Sequence, residues 1–297
     1  MMENESFKNP SGKDSPVGKF QADSSSREFW RAGKSFLIFI LAFLYLVPVI
    51  VLFLTSFKTQ VQIMEKGLGW FFMPTLMNYS NVLLEQGFLR YMTNSLIVGL
   101  ASTFVTLIIG GFASYALVRF NFLGKGTISF GTLLLRMIPP AVLVVPIYVL
   151  WSYFGLADTR LGLVIIYVGL NLPFTIWVLI SFIADVPVEL EEAAVVDGCG
   201  AWKIFFTVIL PLIKPGLAAA AIFTFRIAWN EFILALVLTN RMTRTLPVAT
   251  TIYLTDTGVE WGNITAMGTL VALPAIIFTF LAAKQLIAGL TAGAVKG

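Results

Sequence analysis

The chain has 297 residues, of which 58% are hydrophobic, 12% are charged and none is histidine. A water-soluble domain carries about 25% charged and about 45–50% apolar residues, so this composition excludes one and indicates an integral membrane protein. Without histidine, and with Cys199 as the single cysteine, the chain lacks the usual general base and metal ligands. We therefore expect it to be no enzyme and to bind no metal or cofactor.

The first 34 residues are polar and mixed in charge, and they predict a disordered tail. They do not resemble a signal peptide, because the apolar run after them has 23 residues and no small-residue cleavage site follows it.

Four charge-free intervals of 23 to 28 residues follow along the chain. About 20 apolar residues cross the hydrocarbon core, so each interval predicts a spanning helix. Two more apolar stretches are long enough to cross but contain internal charges. The six predicted spans are 35–57, 92–118, 128–154, 161–184, 217–239 and 264–286. They predict an all-α polytopic domain over 35–288 and a short C-terminal segment over 289–297.

The lysines and arginines outside these spans predict the orientation of the chain. Twelve lie on the side of the N-terminal tail, and six lie on the opposite side. By the positive-inside rule the side with 12 is cytoplasmic. Because the number of spans is even, both termini are expected there.

The predicted loop between the fourth and fifth spans, 185–216, has the features of a helix followed by a sharp turn. Pro187 suits a helix start, glutamates follow in the first turns, and Asp197-Gly198 supplies a left-handed stop. An apolar segment with three aromatic residues follows, from Trp202 to Leu210. Two interpretations of this segment stay open: a connector resting on lipid headgroups, or a surface covered by a cytoplasmic partner.

The loop resembles the signature of bacterial ABC-importer permeases, which reads Glu-Ala-Ala, three residues, Gly, nine residues, Ile, any residue, Leu-Pro. The matching residues are Glu192, Ala193, Ala194, Gly198, Val208 in place of isoleucine, Leu210 and Pro211. Other short sequences are similar to the carbohydrate-importing, maltose-type branch, and the six-span layout is similar to its smaller, second permease subunit. They are Thr55–Thr59, Asn94-Ser95, Tyr115–Phe120 with Gly124-Lys125, Met137–Pro140 with Pro146, and Trp229–Phe232.

This resemblance implies the six-helix type I permease fold with a cytoplasmic coupling helix, in the bacterial inner membrane. It implies four partners and no nucleic acid: a second permease subunit, two ATPase subunits that use ATP and Mg, and an extracytoplasmic solute-binding protein. The chain would then carry a sugar or sugar derivative by alternating access. Contact with the ATPase would involve Glu192, Ala193, Ala194, Asp197, Gly198, Leu210 and Pro211. The outward loop over 240–263 would contact the binding protein.

Three charges lie inside predicted spans, at Arg136, Arg226 and Glu231. A charge at mid-bilayer costs about 2.5–3.5 kcal/mol on insertion scales, so such residues are candidates for function. In one interpretation Glu231, helix-end carbonyls or the partner permease satisfy the arginines structurally. In the other, Arg226 and Arg136 face the pathway and favour an anionic substrate. The candidate pathway residues are Arg136, Asn171, Arg226, Trp229, Asn230 and Glu231.

Two alternative functions remain at this stage. One is an ABC permease for another small solute, such as an amino acid or an anionic organic compound. The other is a transporter driven by an ion gradient. The signature loop favours the ABC class over the gradient-driven one.

Overall fold

A computed structural model describes residues 24–65, 69, 71–85, 87–256 and 258–294. Helices make up most of this part of the chain. In order they are α1 Ser24–Thr55, α2 Gln60–Met64, α3 Met77–Ser80, α4 Phe88–Arg119, α5 Lys125–Met137, α6 Pro140–Tyr153, α7 Arg160–Ala184, α8 Val188–Val196, α9 Ala201–Ile204, α10 Leu210–Leu212, α11 Lys214–Asn230, α12 Ile233–Leu238, α13 Leu246–Ala249 and α14 Trp261–Ala294. Two π-helical turns, Asn81–Glu85 and Phe205–Ile209, and a 3₁₀ turn, Thr250–Tyr253, lie between them. The strands β1 Leu254–Thr255 and β2 Gly258–Val259 form an antiparallel hairpin.

The chain divides into two compact units, at Val51 and Leu52. The described part of the first unit is residues 24–51 of helix α1. Most of its large apolar side chains are exposed; Tyr45, for example, is 84% exposed. The helix begins at Ser24, eleven residues before the predicted span. Since residues 24–34 contain no proline, the helix of the span can extend backward through them. The rest of the predicted tail, 1–23, lies outside the described residues.

Helices α4 and α7 form the centre of the second unit and run parallel to each other. At the start of both helices, the Arg160 Nε donates to the Asn94 Oδ1 at 2.8 Å. Near their middle, the Ser114 hydroxyl donates to the Ile176 carbonyl at 3.1 Å. We call the end that carries the β1–β2 hairpin the hairpin face, and the end that carries α8 the signature face.

Helix α11 packs against both members of this pair. Phe225 on α11 lies against Gly99 on α4, where a Cβ would come within 2.9 Å of its ring. The Thr175 and Thr224 hydroxyls are joined by a buried hydrogen bond of 3.0 Å between α7 and α11. Each of the three helices therefore packs against the other two.

Two of the predicted spans differ from straight helices. The stretch 128–154 consists of α5 and α6, which meet at an angle of 99°. Ile138 and Pro139, each of which precedes a proline, have extended backbones with ψ of 118° and 133°. A residue before proline disfavours the helical region, which accounts for the break. The stretch 217–239 is divided in turn, because Glu231 is extended, with ψ 129°, between α11 and α12.

Candidate coupling and translocation sites

Helix α8 has the predicted start and stop. Pro187 is its N-cap, and the first turn contains Glu189 and Glu191. At the other end Gly198 adopts a left-handed φ of +78°. The Cys199 N–H donates to the Ala194 carbonyl, and the Gly198 N–H donates to the Val195 carbonyl, both at 2.9 Å. This paired closure satisfies the last carbonyls of the helix and turns the chain sharply away.

The side chains of α8 divide into an outward and an inward set. Glu192, Ala193 and Asp197 are exposed, and Val196 is 87% exposed. Ala194, by contrast, is buried within this chain. Successive helical residues point about 100° apart, so the two alanines of the signature do not share a face. Ala193 is available to a partner, whereas Ala194 packs inward.

The inward set joins a hydrophobic cluster at the signature face. Its buried members are Tyr115, Leu179, Ile183, Val186, Ala194, Ile204, Phe205, Ile209, Ile213 and Ala220. These residues come from α4, α7, α8 and the 201–220 segment, so the cluster fastens the signature loop onto the ends of the spanning helices.

Phe205 lies inside this cluster, with its ring centroid 4.7 Å from that of Phe112 and 5.3 Å from that of Tyr115. Trp202 and Phe206 remain 71% and 52% exposed. The chain itself therefore covers one aromatic residue of this segment, an outcome that neither sequence-based interpretation included. Of the remaining signature residues, Leu210 is half-buried and Pro211 is exposed.

Glu191, next to the signature glutamate, has the densest polar contacts of α8. Its carboxylate forms an ion pair with the Arg119 Nε and accepts a hydrogen bond from the Tyr115 hydroxyl at 2.9 Å. A second nitrogen of Arg119 donates to the Ile183 and Val186 carbonyls, at 3.1 and 2.7 Å. The sequence analysis included Arg119 in a family-like stretch but did not predict its pairing with Glu191, 72 residues away.

Glu231 has partners other than the arginines. Its carboxylate accepts hydrogen bonds from the Tyr167 hydroxyl at 2.7 Å and from the Leu234 and Ala235 N–H groups at 2.9 and 3.0 Å. It therefore caps the start of α12. Among the described residues neither arginine forms an ion pair with it, so Glu231 is not the structural partner that one interpretation offered them.

Arg136 and Arg226 are nevertheless brought to one row of side chains. The Arg136 guanidinium lies 4.6 Å from the ring centroid of Phe174, and that of Arg226 lies 5.9 Å from Phe223. The two rings contact each other edge to face, with centroids 5.7 Å apart. Cations within about 6 Å of an aromatic ring are attracted to its face. We call these four residues the arginine–phenylalanine row.

The other candidate pathway residues differ in whether their side chains are accessible. Trp229 is buried, and its Nε1 donates to the Val271 carbonyl on α14 at 3.2 Å. Asn171 is buried too, and in the described structure its Oδ1 has no hydrogen-bond partner. Asn230 is exposed, with its amide donating to the Arg226 carbonyl at 2.8 Å. Trp229 and Asn171 are therefore not accessible in this structure, whereas Asn230 is accessible beside Arg226.

At the hairpin face, Asn94 and Ser95 hold the long loop of residues 240–263. The Asn94 amide donates to the Met242 and Arg244 carbonyls, both at 2.9 Å. The Ser95 hydroxyl accepts a hydrogen bond from the Leu246 N–H at 2.8 Å. The sequence singled out this pair by its resemblance alone, whereas the structure shows that it orders the base of the loop.

Replacing Asn94 with leucine should loosen this loop. The substitution removes two bonds to loop carbonyls and the acceptor of Arg160, and each buried group left unpaired costs about 1–3 kcal/mol. We expect trypsin added at the hairpin face to cut after the exposed Arg241 at least about tenfold faster, since tenfold corresponds to about 1.4 kcal/mol. Thr93→Ala is the control, because Thr93 bonds only within its own helix, to the Leu89 carbonyl. Equal cleavage of the two variants would contradict the anchoring role.

A cleft of about 480 Å³ opens beside this loop, between the segment after α1 and the β1–β2 hairpin. The Asn78 amide donates to the Ser56 and Lys58 carbonyls at 2.9 and 2.8 Å and fixes one wall. The Gln60 side chain donates to the Val259 carbonyl at 2.8 Å and joins that wall to the hairpin. The hairpin face is therefore an ordered surface.

Some spans are interrupted by breaks. A helix and turn lie outside the spans at the signature face, and an ordered hairpin lies at the other. Together these features define a polytopic transport subunit. Residues 106–291 match the family described as "Binding-protein-dependent transport system inner membrane component". The chain belongs to this family, and it is a permease component of an ABC transporter in the inner membrane.

Similar proteins cover nearly the whole chain. The diacetylchitobiose uptake system permease DasC of Streptomyces coelicolor is 37% identical, over 84% of this chain and 91% of its own. The trehalose transport system permease SugB of Mycobacterium tuberculosis is 35% identical, over 85% of this chain and 93% of SugB. The sulfoquinovosyl glycerol transport system permease SmoH of Agrobacterium fabrum is 34% identical, over 85% of this chain and 89% of SmoH.

Solved structures agree on the fold. A chain of a bacterial ABC transporter that imports the acidic polysaccharide alginate superposes with a TM-score of 0.76 at 21% identity, over 88% of this chain and 98% of its own. A chain of the MetNI methionine ABC transporter superposes with a TM-score of 0.56 at 19% identity, over 67% of this chain and 94% of that chain. The predicted all-α polytopic architecture, of the type I importer permease fold, is confirmed.

Proposed function

We propose that this chain is one half of the translocation pore of an importer for a sugar or sugar derivative, with α8 as the coupling helix that receives motion from an ATPase. The observation that carries the proposal is helix α8, which exposes Glu192 and Ala193, is followed by the exposed Asp197 and ends in the left-handed turn at Gly198. The names of DasC, SugB and SmoH support the substrate class.

The proposal includes a defined orientation and set of partners. The signature face is cytoplasmic, as are both termini, which the uneven distribution of lysine and arginine supports. Two ATPase subunits use ATP and Mg, and this chain catalyses no reaction itself. A second, homologous permease completes the pore, and a solute-binding protein docks at the hairpin face.

In this arrangement closure of the ATPases moves α8, and α8 moves the helices to which the signature-face cluster fastens it. Helices α4, α7 and α11 share that cluster, so they tilt together. The pore then opens toward the binding protein and receives the solute. Release of the ATPases reverses the tilt and opens the cytoplasmic side.

Reconstitution tests the proposal. The complex is captured through a tag on this chain and placed in liposomes with the cognate binding protein. We expect co-purified ATPase subunits and uptake of a sugar that stops when ATP is omitted. Uptake that persists without ATP while an ion gradient is maintained, together with no captured ATPase, would refute it.

The arginine–phenylalanine row favours a second candidate, a sugar with an anionic group. Arg136 and Arg226 are exposed and unpaired with Glu231, and each lies beside an aromatic ring that could stack against a sugar. Aromatic faces and guanidinium forks together suit a ring that bears a carboxylate, sulfonate or phosphate. The solved importer of an acidic polysaccharide supports this candidate at the level of fold only.

Arg226→Gln distinguishes the two candidates. Since Arg226 is exposed, we expect the amount of chain in the membrane to stay unchanged. Uptake of an anionic sugar should fall about tenfold, the equivalent of about 1.4 kcal/mol, while uptake of a neutral analogue stays the same. The measurement is uptake of both labelled sugars by the same cells, with Lys125→Gln as a control for loss of positive charge. Equal uptake of the anionic sugar would remove the candidate, and loss of the protein would indicate a structural role.

A further inference from the structure

Helix α8 has only nine residues, and a short connection flanks it on each side. On one side the chain leaves α7 through residues 185–187, and on the other it passes the two glycines Gly198 and Gly200. A helix this short is marginal without tertiary contacts. Within the described structure, α8 contributes a single buried residue, Ala194, to the signature-face cluster. A rigid link from α8 to the spanning helices therefore needs a further attachment.

Arg119 supplies that attachment, since one guanidinium joins three helices. It belongs to the last turn of α4, and its Nε is paired with Glu191 of α8. Its terminal nitrogen donates to the carbonyl of Ile183, in the last turn of α7, and to the carbonyl of Val186, just after α7. The side chain is only 13% exposed. The planar fork of arginine holds several acceptors in a fixed geometry, which the single ammonium of lysine does not reproduce.

Tyr115 strengthens the same attachment one turn earlier on α4. Its hydroxyl donates to the second oxygen of Glu191, so both carboxylate oxygens are held by α4. Glu191 is buried, although it is next to the exposed Glu192. An ion pair with little access to water is weakened little by salt.

We propose that Arg119 is a positioning residue that makes α8, the end of α4 and the end of α7 move as one body, so that displacement of α8 reaches both spanning helices. This inference rests on the proposed function. Tyr115 assists Arg119, and Glu191 is the attachment point on α8. The outward residues of α8 contact the ATPase, whereas the inward Glu191 passes the motion on.

Cys199 provides a direct test, because it is the only cysteine of the chain, is half-buried and lies three residues after the end of α8. This thiol is labelled with a maleimide in inverted membrane vesicles, and the rate is measured from the mass increase of this chain. The rate reports how often α8 separates from the signature-face cluster. We expect Arg119→Gln and Glu191→Gln to raise the labelling rate at least about tenfold, and Arg119→Lys to raise it less. Lys125→Gln, which removes a positive charge from the same face, should leave the rate unchanged.

The second readout is the number of solutes imported per ATP hydrolysed. Arg119→Gln should keep most of the hydrolysis that the loaded binding protein stimulates but lower this ratio about tenfold, and Arg119→Lys should restore part of it. Unchanged labelling in Arg119→Gln and Glu191→Gln, or an unchanged ratio, would overturn the inference. If the proposed function itself is wrong, the complex with the unsubstituted chain shows no ATP-driven uptake, which distinguishes this failure from failure of the inference.

Discussion

Replacement of Gly198 by valine is expected to abolish ATP-driven uptake while the chain remains inserted in the membrane. The φ of +78° is a conformation that costs an L-residue about 1–2 kcal/mol, and β-branched residues tolerate it least. A Cβ at this position would meet no other atom within 4 Å, so the effect comes from the backbone alone. Relaxation of the turn redirects the chain after α8 and changes the surface offered to the ATPase.

Gly200→Val is the matched control. Gly200 is two residues further along the same loop, with φ −77° and ψ 165°, an extended conformation that suits valine. Its Cβ would also meet nothing within 4 Å. Uptake into proteoliposomes and co-purified ATPase are measured for both variants. The role of the turn would be contradicted if uptake by Gly198→Val were less than about tenfold lower than uptake by Gly200→Val. A tenfold ratio corresponds to about 1.4 kcal/mol.

Gly110→Leu is expected to prevent stable packing of the spanning helices. A Cβ on Gly110 would lie 2.7 Å from the Thr175 Cγ2 and 3.3 Å from its Cβ, so the larger side chain must push α4 away from α7. Overpacking of this kind costs about 1–3 kcal/mol, occasionally more. The buried bonds from Ser114 to the Ile176 carbonyl and between Thr175 and Thr224 would be strained as well.

The measurement is the amount of monodisperse chain extracted from membranes and its unfolding temperature in detergent. Gly169→Leu is the control, since Gly169 lies on α7 and a Cβ there would meet nothing within 4 Å. We expect the control to match the parent chain in both quantities. An unfolding temperature of Gly110→Leu as high as that of the control would show that the contact between α4 and α7 tolerates a side chain.

Local signals predicted the helix and turn of the signature loop well. Pro187 restricts its own backbone, and Gly198 alone supplies a left-handed stop, so both effects act within one or two residues. The breaks inside spans were harder to interpret. Pro139-Pro140 was visible in the sequence, but hydropathy measures only whether a segment prefers lipid, and it does not distinguish one straight helix from two bent ones.

Pairing between distant residues could not be derived from one sequence. Helical periodicity places Arg226 and Glu231 on different faces, but it does not show that α11 ends at Asn230 and leaves Glu231 to cap α12. Glu191 and Arg119 meet only because α4 and α7 run parallel, which is a property of the tertiary fold. Phe223 could have been found from its spacing of three residues before Arg226, a distance that places both on one helix face.

The parallel pair α4 and α7 is pinned at both ends, by Asn94 with Arg160 at the hairpin face and by Arg119 with the Ile183 carbonyl at the signature face. Contacts at both ends resist sliding of one helix along the other, so we expect α4 and α7 to tilt together. The compliance needed to open and close a passage must then lie in the segmented helices, at the joints around Pro139 and Glu231. In the proposed transport cycle, the paired helices α4 and α7 would move as a unit, and the broken helices would bend.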